Sequence, residues 1–224
     1  MTYQTLIRQM KAATFAEAAQ LAIPVTSAQG KTVGKLVPVG EWILDDREKI
    51  ELISGWRKRA MRMFLTQFES TYEKAHGYLK NLSVAQENRL LFLMYDDAGR
   101  FVGHMGLADV NGASGELDNF MRGVDGGNPN LVFLAELALL HWAFGTLGLQ
   151  QSVVSVLSYN WLTVQLHEEV GFTVTENLPL KKSETDGVVT HATCSAAEAN
   201  VKYSYTRLAL QKSDFYAKFA WLQR

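Results

Sequence analysis

Between Asn130 and Phe144 the chain reads as a helix that is apolar nearly all round, with Leu131, Leu134, Leu139 and Trp142 forming the plainest core stripe. A helix without a polar face cannot rest on a surface; it must be wrapped by other elements, and a sheet is the natural partner. Leu131–Leu149 is the one stretch that could pass for a membrane span. Glu136 and His141 interrupt it and Gly-Thr-Leu-Gly closes it, so a buried helix is the better reading. The remaining sequence must therefore supply a sheet.

It does so from residue 89 onward. Leu90–Tyr95 is an apolar run, Asp96-Asp97-Ala98-Gly99 a turn, and Phe101–Val110 a second run, together a hairpin signal. Asn111-Gly112 turns the chain into a strand over Glu116–Arg122. The glycine-rich loop Gly123–Gly127 then leads to Asn128-Pro129, a capping residue followed by a first-turn proline. Ser152–Leu157 reads as a central strand, and Asn160–Glu169 as a short helix stopped by Gly171. Phe172–Glu176 and Val201–Leu210 complete the sheet, separated by a polar excursion from Leu180 to Asn200.

Before residue 89 the periodicity is helical. The spacing of Leu6, Met10, Phe15, Ala18 and Leu21 predicts one helix over 2–22, closed by Pro24. A loop or short strands follow around Thr32–Val39. Asp45 or Asp46 caps a helix through Ile50, Ile53 and Trp56, a further helical pattern runs through Met63, Phe64, Phe68 and Tyr72, and a third covers Thr71–Leu82. The fold class expected is α+β: a mixed, mostly antiparallel central sheet flanked by helices, with an N-terminal helical extension. Three units are expected: an N-terminal helix and connecting segment over 1–40, a main domain over 41–212 and a C-terminal aromatic segment over 213–224.

Composition narrows function by exclusion. With 224 residues and 47% of them hydrophobic, the chain can bury a core, and disorder is ruled out. Lys and Arg number 22 against 23 Asp and Glu, so the basic excess needed for generic nucleic-acid binding is missing. Cys194 is the sole cysteine, which excludes an intrachain disulfide and a multi-cysteine zinc site, and suits a reduced, cytoplasmic setting. Met1–Ala19 has no uninterrupted apolar run of the secretory kind. The five histidines lie too far apart for a local metal motif, and no resident metal is expected. Phosphate-loop, dinucleotide-binding and nucleophile-elbow motifs are all missing.

What is present is Trp142-Ala143-Phe144 before Leu147-Gly148-Leu149, a strand, and then Asn160, Thr163, Leu166, Gly171 and Phe172 at fixed separations. In this order and spacing, the segment Phe101–Phe172 resembles the GNAT superfamily of acyl-CoA N-acyltransferases. The resemblance implies direct transfer of an acyl group from acetyl-CoA or another short acyl-CoA to an amine, without a covalent enzyme intermediate. Cys194, far from the motif, is a poor nucleophile candidate.

It also implies site residues. The coenzyme's pyrophosphate would sit at Gly127-Asn128-Pro129-Asn130-Leu131-Val132, where the family's glycines are lost but a helix start can still offer N–H groups. Pro129 would remove one of these donors. Phe120, Met121 and Arg122 would lie along the coenzyme, and Asn160 would serve coenzyme or strand-splay geometry. Glu116 matches an acidic position of the family and is the expected base, with Asp118 next; the bland alternative is that both carboxylates pair with Arg122 or solvate an edge. His167 stands where the family often has a tyrosine that protonates the leaving thiolate, a task an imidazole can perform. The alternative for His167 is an exposed helix residue flanked by Glu168 and Glu169.

The acceptor is expected to meet Trp56, Arg59 and Arg62 of the basic stretch Trp56–Arg62, together with His104. A face of this kind suits a diphosphate; the bland alternatives are a solvated helix face balanced by Asp45, Asp46, Glu48 and Glu51, and a structural His104. Glu116-Leu117-Asp118-Asn119 followed by Arg122-Gly123 is similar to the bacterial sugar N-acyltransferases of the superfamily, and the acceptor this resemblance implies is the amino group of a nucleotide-linked amino sugar. A protein N-terminus or lysine is the runner-up, and a non-catalytic acyl-CoA-binding domain the rival of another class. No nucleic acid or membrane partner is expected. The aromatic residues Phe215, Tyr216, Phe219 and Trp221 have two available places to pack, the domain itself or a second subunit of a homodimer.

Overall fold

The computed structural model describes residues 2–125 and 127–223. The chain opens with two helices, α1 (Tyr3–Met10) and α2 (Phe15–Gln20), in place of the single one expected over 2–22. The break has a local cause. Thr14 accepts a hydrogen bond from the Glu17 N–H while the Glu17 carboxylate accepts from the Thr14 N–H, a capping box that starts a helix afresh. The antiparallel strands β1 (Ile23–Thr26) and β2 (Thr32–Pro38) follow, so the connecting part of 1–40 belongs to the sheet. Next comes α3 (Arg47–Arg59), whose N-cap Asp46 accepts from the Lys49 N–H.

The helical pattern through Met63, Phe64 and Phe68 is not realised. These residues form a 3-10 turn over Met61–Met63 and the two-residue strand β3 (Thr66–Gln67). Their apolar spacing serves a different contact, because the rings of Phe64 and Phe68 pack on the Arg57 guanidinium. Thr71 then caps α4 (Tyr72–Tyr78), which loosens into a π turn over Leu79–Val84.

The remaining elements are β4 (Leu90–Asp96), β5 (Phe101–Ala108), β6 (Ser114–Arg122), α5 (Leu131–Trp142, continued by a π turn to Leu147), β7 (Gln151–Leu157), α6 (Trp161–Val170), β8 (Thr173–Thr185), β9 (Val188–Thr193), β10 (Ser204–Gln211) and α7 (Lys212–Lys218). The sheet has ten strands in the order β1-β2-β4-β5-β6-β7-β10-β8-β9-β3. Among the described residues β6·β7 is the parallel pair in an otherwise antiparallel sheet. The polar excursion after Leu180 is in fact a β8–β9 hairpin. Asp186 and Gly187 turn it with φ of 52° and 74°, the left-handed pair a tight hairpin requires.

β4 explains the layering. All its residues are buried, with Leu90, Phe92 and Met94 facing one apolar cluster and Leu91, Leu93 and Tyr95 the other. α5 fills the first cluster with α1 and α7, and α3 and α4 cover the second. The C-terminal aromatic residues pack on the domain itself. Phe215 lies 5.3 Å from Phe144 between ring centroids, and the Tyr216 hydroxyl meets His141 Nδ1 at 3.1 Å. Among the described residues no helix is long and apolar enough to cross a membrane.

Candidate active site

The parallel pair is short. Ser114–Leu117 pairs with Gln151–Val154, and beyond that point β6 and β7 part. The cause is a bulge in β6. Gly106 of β5 faces Asp118 and His104 faces Met121, so Asn119 and Phe120 together stand opposite Met105. Asn119 takes φ +54°, a conformation that asparagine tolerates better than most residues.

Side chains lock the bulge on every side. Asp118 Oδ1 accepts from the Asn119 N–H at 2.7 Å, and Asn119 Nδ2 donates to Asp118 Oδ2 at 2.7 Å and to the Tyr78 hydroxyl at 2.6 Å. Arg89 forms an ion pair with the same Asp118 carboxylate. His104 Nδ1 meets the Asn119 carbonyl at 2.7 Å; a carbonyl only accepts, so Nδ1 carries the proton and Nε2 is an acceptor. Burial holds His104 down at about 4, which makes the ring neutral at ordinary pH. Its Nε2 is buried without a partner among the described residues.

The fork between the strands opens a cavity of about 880 Å³ that runs through the sheet, from α3 and α4 on one face to α6 on the other. Glu116, Asp118, Phe120, Met121, Arg122, His104, Asn160 and His167 all border it. Glu116 sits where the fork begins, paired with Val153 across β7. Burial pushes its carboxyl above the usual carboxylate range; the Ser155 hydroxyl opposes this, the Asp118 charge adds to it, and Arg207 opposes it. Tyr205 borders the cavity beside Ser155 and is pushed up by burial to about 12. Asp118 has a different standing. Its carboxylate is occupied by Arg89 and Asn119 rather than Arg122, so it fixes the bulge and is not a free base.

His167 is not an exposed helix residue: it is fully buried. Its Nδ1 lies 2.7 Å from Oε1 of Glu136, itself fully buried in the apolar helix α5. The rings of Phe120 and Phe172 pack edge-on against the imidazole at 5.3 and 5.6 Å. His167 Nε2 and Glu136 Oε2 have no partner among the described residues. The sequence reading missed Glu136 as a site residue, although a lone carboxylate on an otherwise apolar helix is the signal for it.

The expected phosphate corner lies at the start of α5, outside the cavity wall. Asn128 and Pro129 do not open the helix as expected; they form a turn ahead of it, and Asn128 Oδ1 accepts from the Asn130 N–H at 2.9 Å. Pro129 therefore removes no donor from the helix. Asn130 is the N-cap but caps no N–H with its side chain, and the Leu131 N–H donates to the Asn128 carbonyl at 3.1 Å, which leaves the Val132 and Phe133 N–H groups as the first-turn donors without a side-chain cap. Gly127 and Asn130 are exposed there, and Val132 is half-buried. The Leu131 side chain is core, 1% exposed and packed near Gly34.

The basic stretch also differs from expectation. Trp56 is buried against Gly123, where an added Cβ would lie 1.9 Å from its ring, and it stacks near His104 and Phe101. Arg59 reaches the Gly123 carbonyl at 2.9 Å, and Arg62 is exposed, its carbonyl accepting from the Tyr159 hydroxyl. None of the three borders the cavity, whereas Arg57, absent from the expected set, does. Cys194 is half-buried beneath the Pro179 carbonyl, also away from the cavity.

No protein-family model matches the sequence, and no curated protein matches it. Solved structures do. A GCN5-related N-acetyltransferase from Brucella melitensis matches with a TM-score of 0.61 and 15% identity, over 85% of this chain and 82% of that one. A putative acetyltransferase matches at 0.60 and 16%, over 85% and 89%. Spermidine N-acetyltransferase from Vibrio cholerae, solved with CoA and spermine, matches at 0.58 and 16%, over 76% and 92%. The likeness is one of fold: this chain has the fold of the GNAT N-acyltransferases, which is the α+β architecture that the motif resemblance implies.

Proposed function

We propose that this protein transfers an acetyl or other short acyl group from acyl-CoA to a primary amine. The observation that carries the reading is the fork. β6 and β7 separate after Leu117 and Val154, with an acid at the branch point, a histidine beyond it and an uncapped helix start nearby. Past the branch, backbone groups of both strands are free of each other, so the extended amide chain of a coenzyme A thioester can pair there. First-turn N–H groups of α5 suit its pyrophosphate.

The neutral amine's nitrogen attacks the thioester carbonyl carbon, and Glu116 takes the proton that this nitrogen sheds as the carbon–nitrogen bond forms. As the carbon–sulfur bond breaks, His167 supplies a proton from Nε2 to the thiolate. Nδ1 is engaged by Glu136, so Nε2 is the ring nitrogen left to serve the leaving group. Phe120 covers the ring, so the acyl-CoA sulfur reaches Nε2 only as that side chain shifts.

The acceptor expected from the basic stretch, a nucleotide-linked amino sugar, loses its support because Trp56, Arg59 and Arg62 do not border the cavity. A polyamine is the second reading, favoured by the fold likeness to the enzyme solved with spermine. A cytoplasmic setting goes with the proposal, since the single cysteine forms no disulfide. The test is to mix the protein with acetyl-CoA and a panel of primary amines and look for acetylated amine by mass spectrometry. A protein that binds acetyl-CoA but acetylates nothing would be an acyl-CoA-binding domain instead.

A further inference from the structure

Among the described residues two cations that acyl transfer does not use border the cavity, Arg57 and Lys74; Lys74 donates to the Glu69 carbonyl at 3.1 Å, whereas Arg57 is less well supplied with acceptors. Arg57 projects from α3 with its guanidinium 3.9 Å from the Phe64 ring centroid and 5.0 Å from that of Phe68. Its Nε is buried with no hydrogen-bond partner among the described residues, and Nη2 makes only a long bond of 3.4 Å to the Thr66 carbonyl. No described carboxylate lies within ion-pair distance of it; the acidic groups near enough to act on it are the Tyr78 hydroxyl and Asp118, and Asp118 is engaged by Arg89. Leu82 and Ile53 extend the wall around it as apolar surface.

A guanidinium offers five donors in a rigid fork, and a half-buried one with unfilled donors is a poor resting state unless a ligand supplies the acceptors. The aromatic stacking fixes the plane of the fork, which is the preorganisation that a bidentate oxyanion exploits. We infer that the acceptor amine carries an oxyanion, a carboxylate or a phosphate, joined to the amine by an apolar body, and that Arg57 binds this oxyanion. The inference rests on the acyl-transfer reading for its amine end only. A polyamine would instead bring a second cation against Arg57.

The test compares 6-aminohexanoate and 4-(aminomethyl)benzoate, each against its carboxamide, with 6-aminohexyl phosphate and spermidine alongside. Acetyl transfer is followed for the wild type, Arg57→Gln and Arg57→Lys. The inference expects at least one acid to exceed its amide by about tenfold or more in kcat/KM, the discrimination a charge-assisted pair supports. That ratio should collapse toward one in Arg57→Gln and survive in part in Arg57→Lys. The phosphate arm distinguishes the two oxyanion sources. Amides or spermidine matching the acids in every pair would overturn the inference.

If nothing is acetylated, the acyl-transfer reading fails separately, and calorimetric binding of the same acids and amides decides on Arg57. Tighter binding of an acid that is lost in Arg57→Gln supports the oxyanion site. Equal binding of acids and amides contradicts it.

Discussion

Glu136 Oε1 and His167 Nδ1 lie 2.7 Å apart, one on α5 and the other on α6, and both side chains are fully buried. A buried hydrogen-bonded polar pair is a weak device for stability, because taking two polar groups out of water costs about as much as their contact returns. Its place in an apolar core, with Nε2 lacking a partner among the described residues, suits the role proposed for His167. Glu136 orients the ring much as a carboxylate orients a catalytic or metal-bound histidine.

Replacing one partner and replacing both should separate stability from activity. Glu136→Leu alone leaves the buried histidine's Nδ1 without its partner and should destabilise the fold by about 1–3 kcal/mol in urea unfolding. The double variant Glu136→Leu/His167→Leu should recover much of that loss while acetyl transfer remains about 10²-fold down or more. Recovery of activity together with stability would make the pair structural only.

Glu116 predicts a pH dependence. Burial raises its pKa, so the base becomes competent only as pH climbs through a value above the ordinary carboxylate range, and kcat/KM should rise along that limb. The same shift has a stability consequence of fixed sign. A carboxyl whose folded pKa exceeds its unfolded pKa stabilises the fold below the unfolded value, and that contribution is lost as pH rises through the folded one. Glu116→Gln should therefore raise the unfolding midpoint at pH 8 relative to wild type, with the gain vanishing toward pH 4. Thermal melts across this range check it.

The bulge at Asn119 holds the fork open. Asn119→Val puts a branched side chain at φ +54° and removes the two side-chain hydrogen bonds to Tyr78 and Asp118, so a loss of about 2 kcal/mol or more is expected. Asn119→Gly relieves the backbone strain and should be milder in stability yet still impair turnover, because the clamp to Tyr78 and Asp118 is gone. Denaturant unfolding beside steady-state kinetics reads both effects.

Gly123 is set by the ring beneath it. A Cβ there would lie 1.9 Å from Trp56, so Gly123→Ala forces the indole aside and should destabilise by about 1–3 kcal/mol. Trp56→Phe in the same chain should restore part of the loss. Additive losses in the double variant would contradict the contact.

Much of this was legible in the sequence where burial made the pattern plain. The run over Leu90–Tyr95 and the apolar helix from Leu131 announce themselves, and Asp46, Thr71 and Gly171 mark helix ends as side chains and backbone freedom dictate. The β8–β9 hairpin escaped because its strands are mostly exposed and carry little apolar alternation, although Asp186-Gly187 marked the turn. Phe64 and Phe68 misled in the opposite way: helical spacing was present, but the rings are spaced to hold Arg57. In the site, Glu116 and His167 were reachable through their place in a motif, whereas Arg57, Arg89 and Tyr78 are joined only by the fold. Helix periodicity alone does not reveal which of Arg57, Arg59 and Arg62 turns inward.

The account is tested most directly by the steady-state release of coenzyme thiol from acetyl-CoA, measured with and without a primary amine, in the wild type and in Glu116→Gln. It predicts release that requires the amine and falls about 10²-fold or more in Glu116→Gln, with acetyl-CoA bound equally well by both proteins. Release that ignores the amine, or that is the same in both proteins, would contradict it.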